Sequence, residues 1–176
     1  MKEIIYYQDS EILIRNMRDK DISIIVEEEI AQGWHASSEK YEQRLLDQRA
    51  ERAVSLVAEK HGSPAGYINV YWDPQTGAYA KKGIPEIVDF GVLEKYRNQG
   101  IGTRLMDTAE RIASTRCSRV WLGVGLHSGY GSAQRMYVKR GYIPDGSGVW
   151  YRDEICTPYG ECRNDDDLVL YLSKAL

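Results

Sequence analysis

Several features that assign a chain to a common protein class are scarce in these 176 residues. There are only three cysteines, Cys117, Cys156 and Cys162, and no two of them form a C-x-x-C pair. The three histidines are scattered along the chain. An odd, widely spaced set of this kind predicts reduced thiols, no disulfide framework and no metal site.

Long apolar runs and an excess of basic residues are also missing. No apolar stretch approaches the roughly 18 residues of a membrane span, and the opening MKEIIYYQDSE lacks the apolar core of a signal peptide. Lys and Arg number 23 and Asp and Glu 26, so the net charge is −3, which gives no general attraction to nucleic acid or to an anionic membrane. We therefore expect a cytoplasmic protein with no nucleic-acid and no membrane partner.

The composition that remains is that of an ordinary globular protein. Hydrophobic residues make up 43% of the chain and charged residues 28%, which is enough apolar surface to bury a core. The length suits one domain at roughly 150 residues per domain, so we expect a single domain over residues 1–176. The pattern alternates between helical and extended periods in the order β-α-α-β-β-β-α-β-α-β-β, and this predicts an α/β fold.

The first two predicted helices each have one apolar face. The first follows a strand at 11–18, has Asp19 and Asp21 as candidate N-caps, and ends at Gln32-Gly33. Its predicted apolar stripe consists of Ile22, Ile25, Val26, Ile30 and Trp34. The second begins near Ser37 and is expected to bury Tyr41, Leu45 and Leu46 and to expose Glu42, Arg44, Asp47 and Arg49.

A turn with two glycines follows the predicted strand at 85–93. Gly100 and Gly102 lead directly into a helix, whose first N–H groups have no internal partner and lie at the positive end of the helix dipole. Such a helix start can bind a phosphate, because glycines leave the backbone accessible and Arg97 adds positive charge. A solvent-exposed turn with two glycines by chance explains the same residues.

Two other phosphate motifs fit less well. The sequence contains no G-x-x-x-x-G-K-[ST], which excludes a P-loop nucleotidase. Gly123 and Gly125 follow a predicted strand, but the third glycine of a dinucleotide-binding turn is missing.

Arg97-x-x-Gly100-x-Gly102, after a strand that ends at Val92, resembles the acyl-CoA pyrophosphate motif of the GNAT acetyltransferase superfamily. The late segment with Ala133, Tyr137 and Gly141-Tyr142 resembles the family's N-x-x-A-x-x-x-Y-x-x-x-G-F helix, with a tyrosine at the asparagine and phenylalanine positions. The resemblance is strong over residues 84–143, weak before them and absent over 144–166.

This resemblance implies the fold and a reaction. The fold would be a central mixed β-sheet of about seven strands flanked by about four helices. The reaction would be transfer of the acetyl group from acetyl-CoA, as co-substrate, to a primary amine by direct attack in a ternary complex, with no metal. The acceptor would be a small cationic amine or a peptide or protein amine, and a homodimer is compatible with the resemblance. The alternative is an acyl-CoA-binding regulatory or interaction domain without turnover.

The resemblance also implies a set of cofactor-binding residues. The strands ending near Val92 and Val124 would separate, and the pantetheine arm would pair with the backbone of Phe90 and Val92. The Val92 N–H would then stabilise the oxyanion. The full implied set is Phe90, Val92, Arg97, Asn98, Gln99, Gly100, Ile101, Gly102, Thr103 and Ala133. Lys95 or Lys139 would contact the adenosine phosphate or simply be solvated.

The resemblance implies Tyr137 as the acid that protonates the leaving thiolate, whereas core packing is the ordinary role of a lone tyrosine. For the base, the resemblance favours Glu86 over Asp89, because Glu86 lies six residues before Val92, where several family members carry a general base. Strand alternation also places Glu86 on the face of Phe90 until a bulge intervenes. A water chain is the alternative. His127 is a third candidate, for which an N-cap or surface role is the more ordinary one.

The acceptor is indicated only by weak signals. Residues 153–167 contain six acids and one base, Arg163, so the segment has a net charge of −5 that would attract a cationic amine. A solvated loop explains the same charges. The loop at 73–84, with Trp72 and Tyr79, would form another wall of the acceptor site.

Overall fold

The computed structural model describes residues 2–176, which form two compact units. The first contains residues 2–71 and Val88–Ile112, and the second contains Trp72–Ile87 and Ala113–Leu176. The described residues form four α-helices, α1 Asp19–Ala31, α2 Ser38–Arg49, α3 Ile101–Ser114 and α4 Gly131–Lys139. They also form nine strands, β1 Ile5–Gln8, β2 Ile12–Asn16, β3 Ala53–Lys60, β4 Ser63–Tyr71, β5 Glu86–Val92, β6 Arg119–Gly125, β7 Ile143–Tyr151, β8 Glu154–Ile155 and β9 Leu168–Ala175.

In the first unit, β1 to β4 pair in sequence order and every pairing is antiparallel. Strand β5 comes next in the sheet order, and the Leu93 N–H donates to the Ala65 carbonyl oxygen at 3.0 Å. The β3–β4 hairpin closes with the two-residue turn His61-Gly62, because Lys60 pairs directly with Ser63. The sequence patterns did not predict β1, a four-residue strand with an irregular register.

In the second unit, the start of β5 pairs in parallel with β6, with Glu86 opposite Trp121. Strand β6 then pairs antiparallel with β9, and β9 pairs antiparallel with β7, which pairs with the two-residue β8. Parallel and antiparallel pairs therefore coexist. The predicted α/β class with a mixed sheet and four helices is confirmed, and β1 and β8 bring the strands among the described residues to nine.

The apolar face of α1 differs from its prediction. Ile25 is buried, as expected, but Ile30 is 58% exposed and Glu29 is only 1% exposed. Asp19 is the first helical residue and not the N-cap, whereas Asp21 accepts a hydrogen bond from the Arg18 N–H at 2.8 Å. The buried face of α1 thus includes two carboxylates that a hydrophobic pattern cannot predict.

Helix α2 buries Tyr41 and Leu45 as predicted, but the prediction for Leu46, Asp47 and Arg44 was wrong. Leu46 is 52% exposed, whereas Asp47 is buried and accepts hydrogen bonds from the Tyr71 hydroxyl at 2.6 Å and from Arg52 at 2.7 Å. Burial of a carboxylate is tolerated when such donors compensate its lost hydration.

Candidate active site

Strand β5 is interrupted at Asp89, whose φ of +50° lies in the left-handed region. Aspartate tolerates this region better than most residues. The Asn69 Nδ2 group braces the distortion by donating to the carbonyl oxygens of Val88 and Asp89, at 3.3 and 3.4 Å. Beyond it, Gly91 is buried whereas Phe90 and Val92 are half-buried. An irregularity therefore lies where the bulge was predicted.

The carboxylate of Asp89 forms an ion pair with Arg44, whose Nε lies 2.7 Å from Oδ2. The same guanidinium donates to the Tyr71 hydroxyl at 2.6 Å. The Asp89 carboxylate therefore has a structural partner within the first unit.

The start of α3 has the geometry of an anion-binding helix. Its first main-chain hydrogen bond joins the Arg104 N–H to the Gly100 carbonyl oxygen at 3.2 Å, so the N–H groups of Ile101, Gly102 and Thr103 precede the helical ladder. Gly100 has a φ of +77°, which favours glycine on conformational grounds. The Ile101 side chain is buried, so this residue offers a ligand only its backbone.

Gly102 brings the helix start and β5 together. A Cβ atom at Gly102 would lie 3.1 Å from Phe90 Cζ and 3.5 Å from Val92 Cγ2. The resemblance implies pantetheine contacts for Phe90 and Val92 and a pyrophosphate contact for Gly102, and these three residues are neighbours. Close packing against Phe90 is a second reason for a glycine here, and the motif alone did not reveal it.

Two cations flank this turn and have different surroundings. Lys95 forms an ion pair with Glu28 on α1, which engages its ammonium within the protein. Arg97 lies 5.4 Å from the Trp34 ring centroid and 3.2 Å from a Glu94 carboxylate oxygen, with about half of its side chain exposed. The Lys95 side chain is exposed to the same extent, so both cations are accessible to a phosphate.

In the second unit, α4 buries Tyr137, which is 6% exposed. Burial raises the pKa of the Tyr137 phenol, and the neighbouring Tyr130 raises it further. Gln134 Nε2 anchors the helix by donating to the Gly125 carbonyl oxygen at 2.7 Å, and Ala133 lies one turn before Tyr137. The phenol therefore stays protonated at neutral pH, as a proton donor must.

Glu86, the first residue of β5, is half-buried. Burial raises the pKa of Tyr171, and the charges of Asp153, Glu86 and Asp145 raise it further, so Glu86 is one of several carboxylates near that phenol. Tyr171 packs edge-on against Trp121 and Trp150, with ring centroids 5.3 and 5.2 Å apart.

His127 and the acidic segment at 153–167 both form contacts within the protein. His127 caps the 3₁₀ turn Ser128–Tyr130, since its Nδ1 accepts from the Gly129 N–H at 3.1 Å. This confirms the N-cap role for His127. In the acidic segment, Asp167 pairs with Arg152 at 3.0 Å, and Asp166 contacts the His127 ring at 2.9 Å. Part of its charge is therefore compensated locally.

The two aromatic residues predicted to line the acceptor site, Trp72 and Tyr79, also form contacts within the protein. Tyr79 packs on Trp121, with ring centroids 5.7 Å apart, and its hydroxyl donates to the Ser173 hydroxyl at 3.1 Å. Trp72 lies under the Arg116 guanidinium at 3.9 Å. Val92 and Val124 belong to different units, and the notch predicted between their strands stays a prediction.

The acetyltransferase (GNAT) family matches residues 22–142 of this sequence, more than half of the chain. The chain belongs to the GNAT acetyltransferase family. Acetyl-CoA is therefore the acetyl donor that its family implies. No curated protein matches the sequence significantly.

Solved structures of other GNAT proteins share the fold at low identity. The ribosomal-protein-alanine N-acetyltransferase of Brucella melitensis has a TM-score of 0.67 and 18% identity, over 93% of this chain and 99% of that one. A GNAT acetyltransferase from Streptococcus pneumoniae has a TM-score of 0.65 and 23% identity, over 94% and 99%. The ribosomal-protein-S18-alanine N-acetyltransferase of Escherichia coli has a TM-score of 0.65 and 13% identity, over 93% of each chain.

Two further findings on this GNAT chain concern metals and membranes. Within residues 2–176, no group of three or more His, Cys, Asp or Glu could hold a metal ion, and no helix is long and apolar enough to cross a membrane. One buried carboxylate that the sequence analysis missed is Glu29, which accepts a hydrogen bond from the Tyr67 hydroxyl. Its position four residues after Ile25 was the available signal, since that spacing places it on the buried face.

Proposed function

We propose that this GNAT protein transfers the acetyl group of acetyl-CoA to a primary amine by direct attack in a ternary complex. The observation that carries the proposal is the start of α3, where free helical N–H groups follow Gly100 beside the accessible Arg97. Positive charge and unpaired backbone donors suit a pyrophosphate.

The residues around this turn divide the ligand between them. Phe90 and Val92 would bind the pantetheine arm through their backbone, and the resemblance adds Ala133 on α4 to the residues that bind acetyl-CoA. The pyrophosphate would be held by Arg97, Asn98, Gln99, Gly100, Ile101, Gly102 and Thr103. The side chains of Phe90 and Val92 against Gly102 support one continuous site for both parts of the ligand.

The reaction needs one proton acceptor, one proton donor and an oxyanion donor. The amine nitrogen bonds to the thioester carbonyl carbon while the Val92 N–H stabilises the oxyanion, and the C–S bond then breaks. Glu86, directly or through water, takes the proton that the amine loses, and Tyr137 gives its proton to the thiolate. The products are an N-acetyl amide and coenzyme A as the free thiol.

The acceptor that we propose is a small cationic amine or a peptide or protein amine. The similar Brucella and Escherichia proteins are ribosomal-protein-alanine N-acetyltransferases, which supports the α-amine of a protein as one acceptor. The acidic surface at 153–167 supports a cationic acceptor of either kind.

The test is a panel of primary amines incubated with acetyl-CoA while free thiol is measured. The panel contains polyamines, aminoglycosides and short peptides with free N-termini. We expect at least one amine to release thiol well above the rate of amine-free hydrolysis. That amine should also gain about 42 Da in mass, because an acetyl group replaces one hydrogen. Tight acetyl-CoA binding with no thiol release from any amine would instead support the non-catalytic acyl-CoA-binding domain.

A further inference from the structure

Helix α1 buries a glutamate and leaves the isoleucine next to it exposed. Glu29 is 1% exposed, whereas the next residue, Ile30, is 58% exposed. Consecutive residues of a helix point about 100° apart, so α1 turns this carboxylate, and not the isoleucine beside it, toward the interior. A local arrangement that opposes the hydrophobic pattern in this way is typical of a functional site.

The carboxylate of Glu29 is only half satisfied. Its Oε1 atom accepts a hydrogen bond from the Tyr67 hydroxyl. Its Oε2 atom is buried and has no hydrogen-bond partner among the described residues. A buried charge normally has a cation or several donors around it, because it has lost its hydration. Glu29 therefore has an unused acceptor in the interior of the first unit.

The surroundings of Glu29 already accommodate an ammonium group. The Tyr41 and Tyr67 rings meet edge to face with centroids 5.4 Å apart. The Lys40 Nζ atom lies over both rings, 4.5 Å from the Tyr41 centroid and 5.4 Å from the Tyr67 centroid. Ring faces attract cations, so the two tyrosines form a surface on which a primary ammonium is stable.

The pair formed by Glu29 and Tyr67 adjoins the part of β5 assigned to the acetyl donor. A Cβ atom at Gly91 would lie 2.6 Å from the Tyr67 hydroxyl oxygen. Gly91 separates Phe90 from Val92, the two residues proposed to bind the pantetheine arm. The Tyr67 hydroxyl thus links Glu29 to the strand position beside the proposed thioester.

We propose that Glu29, with the Tyr41 and Tyr67 rings, forms the subsite that binds the primary ammonium group of the acceptor. The inference rests on the proposed acetyltransferase function and specifies its acceptor as an alkyl amine that is protonated in solution. An ammonium supplies up to three N–H donors, which matches a carboxylate oxygen without a donor. A neutral alcohol offers a single O–H donor and no charge.

Lys40 covers the two rings in this structure, so an acceptor must displace its ammonium. Lys40 lies on α2 and is half-buried, and its long side chain can move into solvent without unfolding the helix. The exchange replaces one primary ammonium by another on the same aromatic surface.

The experiment is an NMR titration of the full chain, labelled with ¹³C at the glutamate carboxyl and tyrosine ring carbons. The probe is n-butylammonium chloride at neutral pH, with n-butanol as the neutral probe of equal chain length. We expect n-butylammonium to shift the Glu29, Tyr41 and Tyr67 signals saturably, and n-butanol to leave them unchanged. Equal shifts with n-butanol, or no shift with n-butylammonium, would overturn the proposal.

Variants give a second readout of the same subsite. Glu29→Gln keeps the side-chain shape and should weaken n-butylammonium binding at least tenfold. Glu27→Gln, an exposed acid on the same helix, is the matched control and should change it less than twofold. Lys40→Met should tighten binding, because it removes the competing ammonium; unchanged or weaker binding would contradict a shared site. If Glu29→Gln does not fold, the Glu29 signal of the parent protein still decides the question.

The titration contains no acetyl-CoA, so its outcome is separate from that of acetyl transfer. Where the amine panel yields an acceptor, Glu29→Gln should raise the KM for that amine at least tenfold and leave the KM for acetyl-CoA within twofold. A fall in kcat with both KM values unchanged would assign Glu29 to the support of β5 and overturn its role in amine recognition.

Discussion

Tyr137 combines two properties that a proton donor needs. It is buried, which raises its pKa and keeps the phenol protonated, and it lies on a helix anchored to β6 through Gln134. Core packing alone would explain the burial equally well. The two roles differ in what the hydroxyl does, since only the catalytic role uses its proton.

Tyr137→Phe therefore distinguishes these roles. We expect kcat to fall about 10² to 10⁴-fold with acetyl-CoA affinity nearly unchanged, because the ring remains and the proton donor is lost. The free energy of unfolding should change by about 1 kcal/mol at most. The measurement is steady-state thiol release with a good acceptor, under conditions where chemistry limits the rate. A kcat within threefold of the parent would restrict Tyr137 to packing.

Glu86 and Asp89 are candidates for the base, and their surroundings make opposite predictions. Asp89→Asn keeps a residue that tolerates a positive φ, and it loses the charge of an ion pair with Arg44. We expect it to reduce stability by about 1 kcal/mol and kcat only a few-fold, whereas Glu86→Gln should reduce kcat about 10²-fold. Chemical denaturation and thiol release measure the two effects. The reverse ranking of kcat would make Asp89 the base.

The structural role of a residue was predictable where a motif or a periodic pattern specified it. Gly100 and Gly102 lie at the start of α3 as the motif predicted, and His127 caps a turn as its position indicated. The burial of Glu29 and the ion pair of Asp89 depend on residues distant in sequence, Tyr67 and Arg44, so no local pattern contains them.

At the scale of elements, β5 packs against the start of α3 at Gly102. A side chain there would reach Phe90 before it reached any ligand, so a substitution affects packing as well as the approach of a phosphate. For the fold to survive Gly102→Val, Phe90 must move by roughly a few tenths of an ångström.

Gly102→Val should destabilise the protein by about 1–3 kcal/mol and weaken acetyl-CoA binding at least tenfold. The matched control is Gly131→Ala at the start of α4, where a Cβ would meet no atom within 4 Å. Thermal unfolding and isothermal titration with acetyl-CoA measure the two effects. A folded Gly102→Val protein with parental acetyl-CoA affinity would remove α3 from the pyrophosphate site.

Elements with a strong period were predicted well and short elements were not. Helix α1 ends before Gln32-Gly33, and α3 begins directly after Gly100, as the sequence predicted. Strands β1 and β8 have four and two residues, too few to show a period, and both are held by pairing with a neighbouring strand. Such strands depend on their partners more than on their own sequence.

At the scale of the whole molecule, acetyl-CoA should raise the melting temperature. A ligand that binds only the folded state stabilises it by about 2.7 kcal/mol at a hundredfold excess over Kd. Differential scanning calorimetry with acetyl-CoA, ATP and NADH at equal concentration tests this. We expect ATP and NADH to act much less, because they lack the pantetheine arm. Equal stabilisation by ATP would argue against pantetheine recognition by β5.

The buried tyrosines predict unfolding in alkali. Burial is the main cause that raises the pKa of Tyr41, Tyr67, Tyr137 and Tyr171. Burial is also the main cause that raises the pKa of Tyr71, to about 12. In the unfolded chain tyrosines ionise near pH 10, so the unfolded state loses protons first and stability falls as the pH rises above that value.

We therefore expect the buried phenols to ionise in one cooperative step above pH 10 that coincides with loss of helical circular dichroism. Absorbance at about 295 nm, where tyrosinate absorbs, follows the ionisation. Return to pH 8 provides the control for reversible unfolding. Complete ionisation with unchanged circular dichroism would contradict the burial of these phenols.

The position of β9 has a consequence for the order in which the second unit assembles. Strand β9 lies between β6 and β7, although both precede it in the chain. Until β9 inserts, β6 and β7 each present an unpaired edge, and unpaired edges are where separate chains join one another. Chains in which insertion is delayed would therefore associate through these strands, so the yield of refolded protein should fall with protein concentration while its refolding rate does not.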